Sequence, residues 1–226
     1  MEEKEKINIF TERLLLWWKQ HKQKFPWRGE ADPYKILIVE FLLRKTTAKQ
    51  VASLYEEFIS LFPNPKSLAE ASVEELERAL RPLGIYKVRA RLLKRLGEVL
   101  VERFSGRVPR DPSDLLLLPG ISKYIANAVL CFAYGEKVPL VDTNIVRIFQ
   151  RVFALKSRKK RARNDPYFWK FAQKILPEKN VKSFNLALID FAHKICRAKK
   201  PLCSTCIMQD ICSSPEKKEP PPKQPF

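Results

Sequence analysis

A chain of 226 residues, 45% hydrophobic and 30% charged, has the composition of a globular protein of one or two domains. It buries roughly 70% of its unfolded surface without needing staples, which excludes a disordered body. Its 43 Lys and Arg against 25 Asp and Glu leave a net charge of +18 at pH 7, the footprint of a polyphosphate partner, although Lys-rich thermophile proteomes and anionic membranes also go with basic chains. No apolar run approaches the ~20 residues of a bilayer span and Met1-Glu2-Glu3-Lys4 opens no signal peptide, so an intracellular protein with no membrane partner is expected. Five cysteines in such a chain point to metal or redox use rather than to disulfides.

In chain order, apolar residues recur at helical spacing almost throughout, and an all-α fold is predicted. Val51, Leu54, Tyr55, Phe58 and Ile59 make one such run; Leu92, Leu93, Leu96, Val99, Leu100 and Phe104 make another. Phe62-Pro63-Asn64-Pro65, Arg81-Pro82-Leu83-Gly84 and Phe104 to Pro109 read as turns between helices. Asp111 ahead of Pro112 is a capping carboxylate before proline at the first helical position. The short helix it starts runs to Leu118 and is ended by Pro119-Gly120.

The stretch Leu118-Pro119-Gly120-Ile121-Ser122-Lys123-Tyr124 is either a plain corner between helices or a phosphate-binding hairpin. In the second case a glycine turn leaves the first backbone N–H groups of the following helix pointing outward to hold a DNA phosphate. Eighteen residues beyond Tyr124, after the short extended stretch Lys137 to Val141, comes Asp142-Thr143-Asn144. A lone aspartate in such a place is ordinarily a helix cap. Lys156 to Arg163 is a dense basic run, readable as a solvated loop or as a phosphate contact. Cys196-x6-Cys203-x2-Cys206-x5-Cys212 puts four thiolates within 17 positions, a set that tetrahedral zinc and an iron–sulfur cluster both accept. Cys131, in an apolar run, reads as a core thiol. The Pro- and Lys-rich tail 213–226 is expected to be disordered.

Hairpin, spaced aspartate and cysteine loop together resemble the helix-hairpin-helix DNA glycosylases of the endonuclease III/MutY superfamily. Within it the chain is most like the Mig-type G·T mismatch thymine glycosylases. The likeness runs from Phe25-Pro26-Trp27-Arg28 through Asp32-Pro33-Tyr34 to Cys212. It implies a two-domain, all-α fold, with a six-helix barrel over residues 29–135 carrying the hairpin and an iron–sulfur domain formed by residues 1–28 and 136–212. It also implies a [4Fe-4S] cluster on Cys196, Cys203, Cys206 and Cys212, and double-stranded DNA with a mismatched or damaged base as partner. The protein would be DNA-associated and act as a monomer.

The resemblance makes Asp142 the catalytic carboxylate, stabilising the positive charge that builds on the sugar and orienting water. Glu40 would enter the base pocket and offer a proton or hydrogen bond to the leaving base; its apolar flanks Ile38, Val39, Phe41 and Leu42 point to burial. Tyr124 stands where endonuclease III has the lysine that forms a Schiff base, and a phenol cannot form one. Lys123, about 100° around the helix, does not replace it. A monofunctional, hydrolytic glycosylase follows, with Tyr124 packing on the flipped base or sugar. Gly120, Ser122 and Lys123 would hold phosphate, though Ser122 occupies the place of a preferred second glycine, so a left-handed backbone there would be costlier. Asn144 would bind phosphate or the water, with helix capping an equal alternative. Arg44, Lys45 and Thr46 fall where the family probes the helix gap and the opposite strand, Ile85 at its apolar wedge, and Arg197, Lys199 and Lys200 where it touches the backbone beside the cluster.

The expected substrate is thymine or uracil opposite guanine. The alternatives are a MutY-like adenine glycosylase and a non-catalytic iron–sulfur DNA-binding module. The short segment after Cys212, and Tyr124 in place of a serine, argue against the first. Asp142 and Glu40, which would repel phosphate, argue against the second.

Overall fold

The computed structural model describes residues 1–214, so the tail predicted to be disordered lies, from residue 215 on, outside the described residues. Twelve α-helices are found among them and no strand. The chain divides into two compact units, residues 24–136 and Met1–Gln23 with the chain from Lys137 onward.

The 24–136 unit holds α2 (Pro33–Leu42), α3 (Ala48–Ala52), α4 (Tyr55–Leu61), α5 (Pro65–Glu70), α6 (Val73–Leu80), α7 (Tyr86–Phe104), α8 (Pro112–Leu117) and α9 (Lys123–Phe132). Local signals start most of them. Asp32 accepts from the N–H groups of Tyr34 and Lys35 with Pro33 at the first helical position. Capping boxes open α3 (Thr47, Gln50), α5 (Asn64, Ser67) and α6 (Ser72, Glu75), each satisfying N–H groups that a helix start leaves without partners. From Tyr34 to Leu42 every residue of α2 but Lys35 is buried; its apolar side chains, at about 1.5–3 kcal/mol each, anchor the unit. The apolar run 51–59 divides at Ser53–Leu54. In one continuous helix Leu54 and Tyr55 would point about 100° apart, whereas the break at Leu54 (φ −128°, ψ −6°) leaves both buried.

α5 and α6 pack along α7, and α2 and α8 pack on α9. Gly97 makes the first contact possible: a Cβ there would lie 2.7 Å from the Ala69 nitrogen and 2.9 Å from the Leu68 carbonyl carbon. Only glycine admits backbone that close.

The other unit is built from α1 (Glu3–His21), α10 (Thr143–Phe153), α11 (Pro166–Lys174) and α12 (Val181–Lys194), with α12 packed on α1 and α10. Its core is aromatic. Phe10 meets Phe153 edge-on at 5.1 Å and Phe149 meets Phe171 at 5.2 Å, geometry that adds to plain burial. The buried Asp190 accepts from Trp18 Nε1 at 2.8 Å and from Gln23 N and Nε2 at 3.1 and 3.0 Å, tying the end of α1 to α12.

Candidate active site

In the 24–136 unit, Asp111 caps α8 by accepting from the N–H groups of Ser113 and Asp114, and the turn to α9 follows. Gly120 takes the left-handed conformation (φ +76°). Ser122 does not: it is extended (φ −99°, ψ 164°) and caps α9, its Oγ accepting from Ile125 N at 3.4 Å. The conformational cost expected at Ser122 is therefore absent, because one glycine suffices for the turn and a serine suits the cap. A Cβ on Gly120 would also lie 2.9 Å from Phe41 Cε2 and 3.2 Å from Arg44 Nη1. Arg44 sits over the Phe41 ring at 5.3 Å and donates to the Gly120 carbonyl at 2.8 Å. Lys123 is exposed and Tyr124 half-buried at the start of α9.

Glu40 lies in the buried helix α2, 7% exposed, between Val39 and Phe41. Just after α2, Lys45 adopts a left-handed backbone (φ 55°); Ile85, ahead of α7, does the same (φ 57°) and is 55% exposed. Thr46 is half-buried and Lys45 exposed.

In the other unit Asp142 is half-buried at the N-cap of α10. Its Oδ1 accepts from Asn144 N at 2.9 Å and Ile145 N at 2.7 Å, and its Oδ2 from Asn144 Nδ2 at 2.7 Å. A carboxylate offers about four acceptor positions, so capping fixes the group while leaving capacity on Oδ2. Asn144 in turn accepts from Arg147 Nη1 at 3.0 Å. The fully buried Asn185 of α12 holds the extended stretch before Asp142, accepting from Leu140 N at 3.4 Å and donating to the Val138 carbonyl at 3.0 Å.

Arg147 also donates to the Cys196 and Ala192 carbonyls, at 2.9 and 3.0 Å, so one guanidinium spans from the Asp142 corner to the start of the cysteine loop. Arg151, one turn on, donates to Cys196 Sγ at 3.7 Å and to the Arg197 carbonyl at 2.6 Å. Cys212 Sγ donates to the Arg151 carbonyl at 3.3 Å. Burial pushes the Cys206 thiol up to about 11, and the facing Cys196, Cys212 and Cys203 add to the rise, against an N–H donated by Met208 at 3.4 Å. A partly buried thiol whose ionisation the three other cysteines oppose is a poor resting arrangement, and the set suits a cationic centre that takes all four as thiolates. No three His, Cys, Asp or Glu side chains among the described residues converge as a single ion requires. Arg197, Lys199 and Lys200 are exposed around the loop.

Residues 38–174 match the HhH-GPD superfamily of base excision DNA repair proteins, and residues 196–212 match the iron–sulfur binding domain of endonuclease III. The chain is 45% identical over 213 residues to a thymine-DNA glycosylase of Aeropyrum pernix, covering 93% of this chain and 96% of that one. The chain belongs to the HhH-GPD superfamily. It is also 43% identical over 214 residues to a thymine/uracil-DNA glycosylase of Pyrobaculum aerophilum, covering 93% of each. A solved thermostable thymine-DNA glycosylase superposes with a TM-score of 0.89 at 36% identity, over 95% of this chain and 98% of that one.

As an HhH-GPD glycosylase with an iron–sulfur domain, the protein acts on DNA and carries a [4Fe-4S] cluster as cofactor, to which the crowded, partly buried thiols are suited. No helix among its described residues is long and apolar enough to cross a membrane. Three side chains that brace candidate residues within their own units escape a sequence reading: Arg89, Arg147 and Asn185. Each works through contacts to residues more than 40 positions away, and only the apolar company of Asn185 in Phe184-Asn185-Leu186 hints at a buried polar group.

Proposed function

We propose that this DNA glycosylase hydrolyses the N-glycosidic bond of thymine or uracil opposite guanine in double-stranded DNA, acting as a monofunctional, monomeric, DNA-associated intracellular enzyme. The observation that carries the hydrolysis is the Asp142 carboxylate, immobilised by the first N–H groups of α10 and by Asn144 with acceptor capacity left on Oδ2. Such a group stabilises positive charge on the sugar without reorganising, and can hold the attacking water. The nature of the base is supported by the names of the relatives, and by the lower cost of extruding a mismatched base.

Each remaining residue has its part in this reading. Glu40, held in buried α2, contacts the leaving base. Tyr124 packs on base or sugar and offers no amine, so the sugar is left as an abasic site with the strand intact. Gly120, Ser122 and Lys123 receive a phosphate at the start of α9, while Arg44, Lys45, Thr46 and Ile85 work at the gap left in the duplex. Cys196, Cys203, Cys206 and Cys212 hold the cluster, which when bound cross-links the 196–212 loop and so steadies Arg197, Lys199 and Lys200 for the backbone.

The test is single-turnover base release from labelled duplexes carrying G·T, G·U, G·A, oxidised-guanine·A and paired controls, read with and without hot alkali. Release from G·T and G·U, seen as breaks only after alkali, is the expected result. Adenine release would overturn the substrate assignment; tight binding with no release would overturn catalysis.

A further inference from the structure

Arg89, in the first turn of α7, is 3% exposed and faces only neutral acceptors among its hydrogen-bond partners. Nε donates to the Gly84 carbonyl at 3.1 Å and Nη1 to the Leu42 carbonyl at 2.7 Å; Nη2 donates to the Arg44 carbonyl and to Thr46 Oγ1. Burying a guanidinium without a counter-ion is costly, and helix propensity at this position would be met by many residues. What the group does is join two segments about 40 positions apart in sequence. One carries Arg44 to Thr46, the other Gly84 and Ile85.

Both segments hold a non-glycine residue in the left-handed region, Lys45 and Ile85. Each costs about 1–2 kcal/mol and persists only where its surroundings over-determine it. The planar, forked donors of Arg89 provide that constraint. The network reaches further, because the side chain of Arg44, whose carbonyl Arg89 holds, itself grips the Gly120 carbonyl of the hairpin. Hairpin turn, 44–46 loop and Ile85 turn are thus linked through two arginines within the 24–136 unit.

We propose that Arg89 is a positioning residue that locks the 44–46 loop and the Ile85 turn into one rigid jaw, setting the spacing between the side chain that fills the vacated stack and those that hold the orphaned base. The proposal rests on the reading of those residues given above. Arg89 touches no DNA; it acts through the backbone of residues that do.

The experiment compares wild type with Arg89→Lys, which keeps the charge and loses the fork, using the full-length, cluster-loaded protein. Amide hydrogen exchange in 43–47 and 84–86 is expected to rise by about 10-fold with the remainder of the chain unchanged. Base release from G·U is expected to fall by about 10-fold or more, while release of uracil opposite an abasic site, where no orphaned base has to be held, falls by less than about 3-fold. Unchanged exchange in both segments would overturn the clamp; an equal fall on both duplexes would reduce it to ordinary structural support. Thr46→Val, which removes one acceptor and leaves α7 intact, is expected to loosen 43–47 alone and decides the matter if the lysine variant does not fold. Should wild type release no base from either duplex, the glycosylase reading fails, and exchange in the two segments still decides the clamp.

Discussion

At the scale of single residues, Asp142 caps α10 and, in the proposed reaction, also serves the sugar, and the two ends are separable by substitution. Asparagine caps a helix about as well as aspartate, whereas alanine loses about 1 kcal/mol. Asp142→Asn is therefore expected to keep its thermal midpoint and its binding to mismatched duplex while base release falls by about 10²-fold or more, as when a preorganised electrostatic partner is removed; retained wild-type turnover would take Asp142 out of the chemistry. Asp142→Ala should lose stability as well, and the difference between the variants measures the cap. Tyr124→Lys places an amine in the first turn of α9. A borohydride-trapped covalent adduct with DNA is the expected result, and its absence would count against the placing of Tyr124 beside the sugar.

Among the helices, the contact of α5 with α7 depends on Gly97, since a methyl group there would press on the backbone at Leu68 and Ala69 rather than on a flexible side chain. Gly97→Ala gains helix propensity, about 1 kcal/mol, but overpacking costs about 1–3 kcal/mol. A lower denaturant midpoint is expected, and a raised one would mean that α5 gives way freely. The start of α8 was legible in sequence, because the cap Asp111 and its N–H partners lie two or three residues apart; the caps at Asp32 and Ser72 are as local but were found in the structure. The hairpin was legible for the same reason, except in which residue takes the left-handed turn: Ser122 is released from it because Gly120 already supplies the reversal and α9 needs a cap. Arg89, Asn185 and Asp190 were not legible as braces, since their partners come from distant segments and the apolar neighbours of Asn185 hint at burial alone. The cysteine spacing announced a four-thiolate centre, but choosing iron–sulfur over zinc came from family likeness rather than from the spacing.

For the whole molecule, acid should be the destabilising direction. Hydrogen bonds from Asp32 N–H, Ser72 N–H, the Ser113 hydroxyl and Tyr167 N–H hold Glu30, Glu75, Asp111 and Asp165 respectively below the usual carboxylate range. A carboxyl depressed in the folded state stabilises the fold fully above its unfolded value, near pH 4, and loses that contribution as pH falls through the folded value. Urea midpoints should accordingly be flat from about pH 5 to 7 and drop below about pH 4; a midpoint that held at pH 3 would show these bonds to be energetically idle.

The chain has only six glycines, yet among the described residues six others take left-handed backbone: Lys45, Ile85, Ser105, Ala154, Asn180 and Lys200. Ser105 and Ala154 merely end α7 and α10, so glycine at either should raise the melting temperature, the relief of about 1 kcal/mol exceeding the entropy it adds to the unfolded chain. At Ile85 the same exchange would relieve strain while erasing a side chain that the proposed reaction needs. If the Ile85 turn meets DNA as proposed, selection for a tougher protein and selection for a working one agree at the helix ends and part company at that turn.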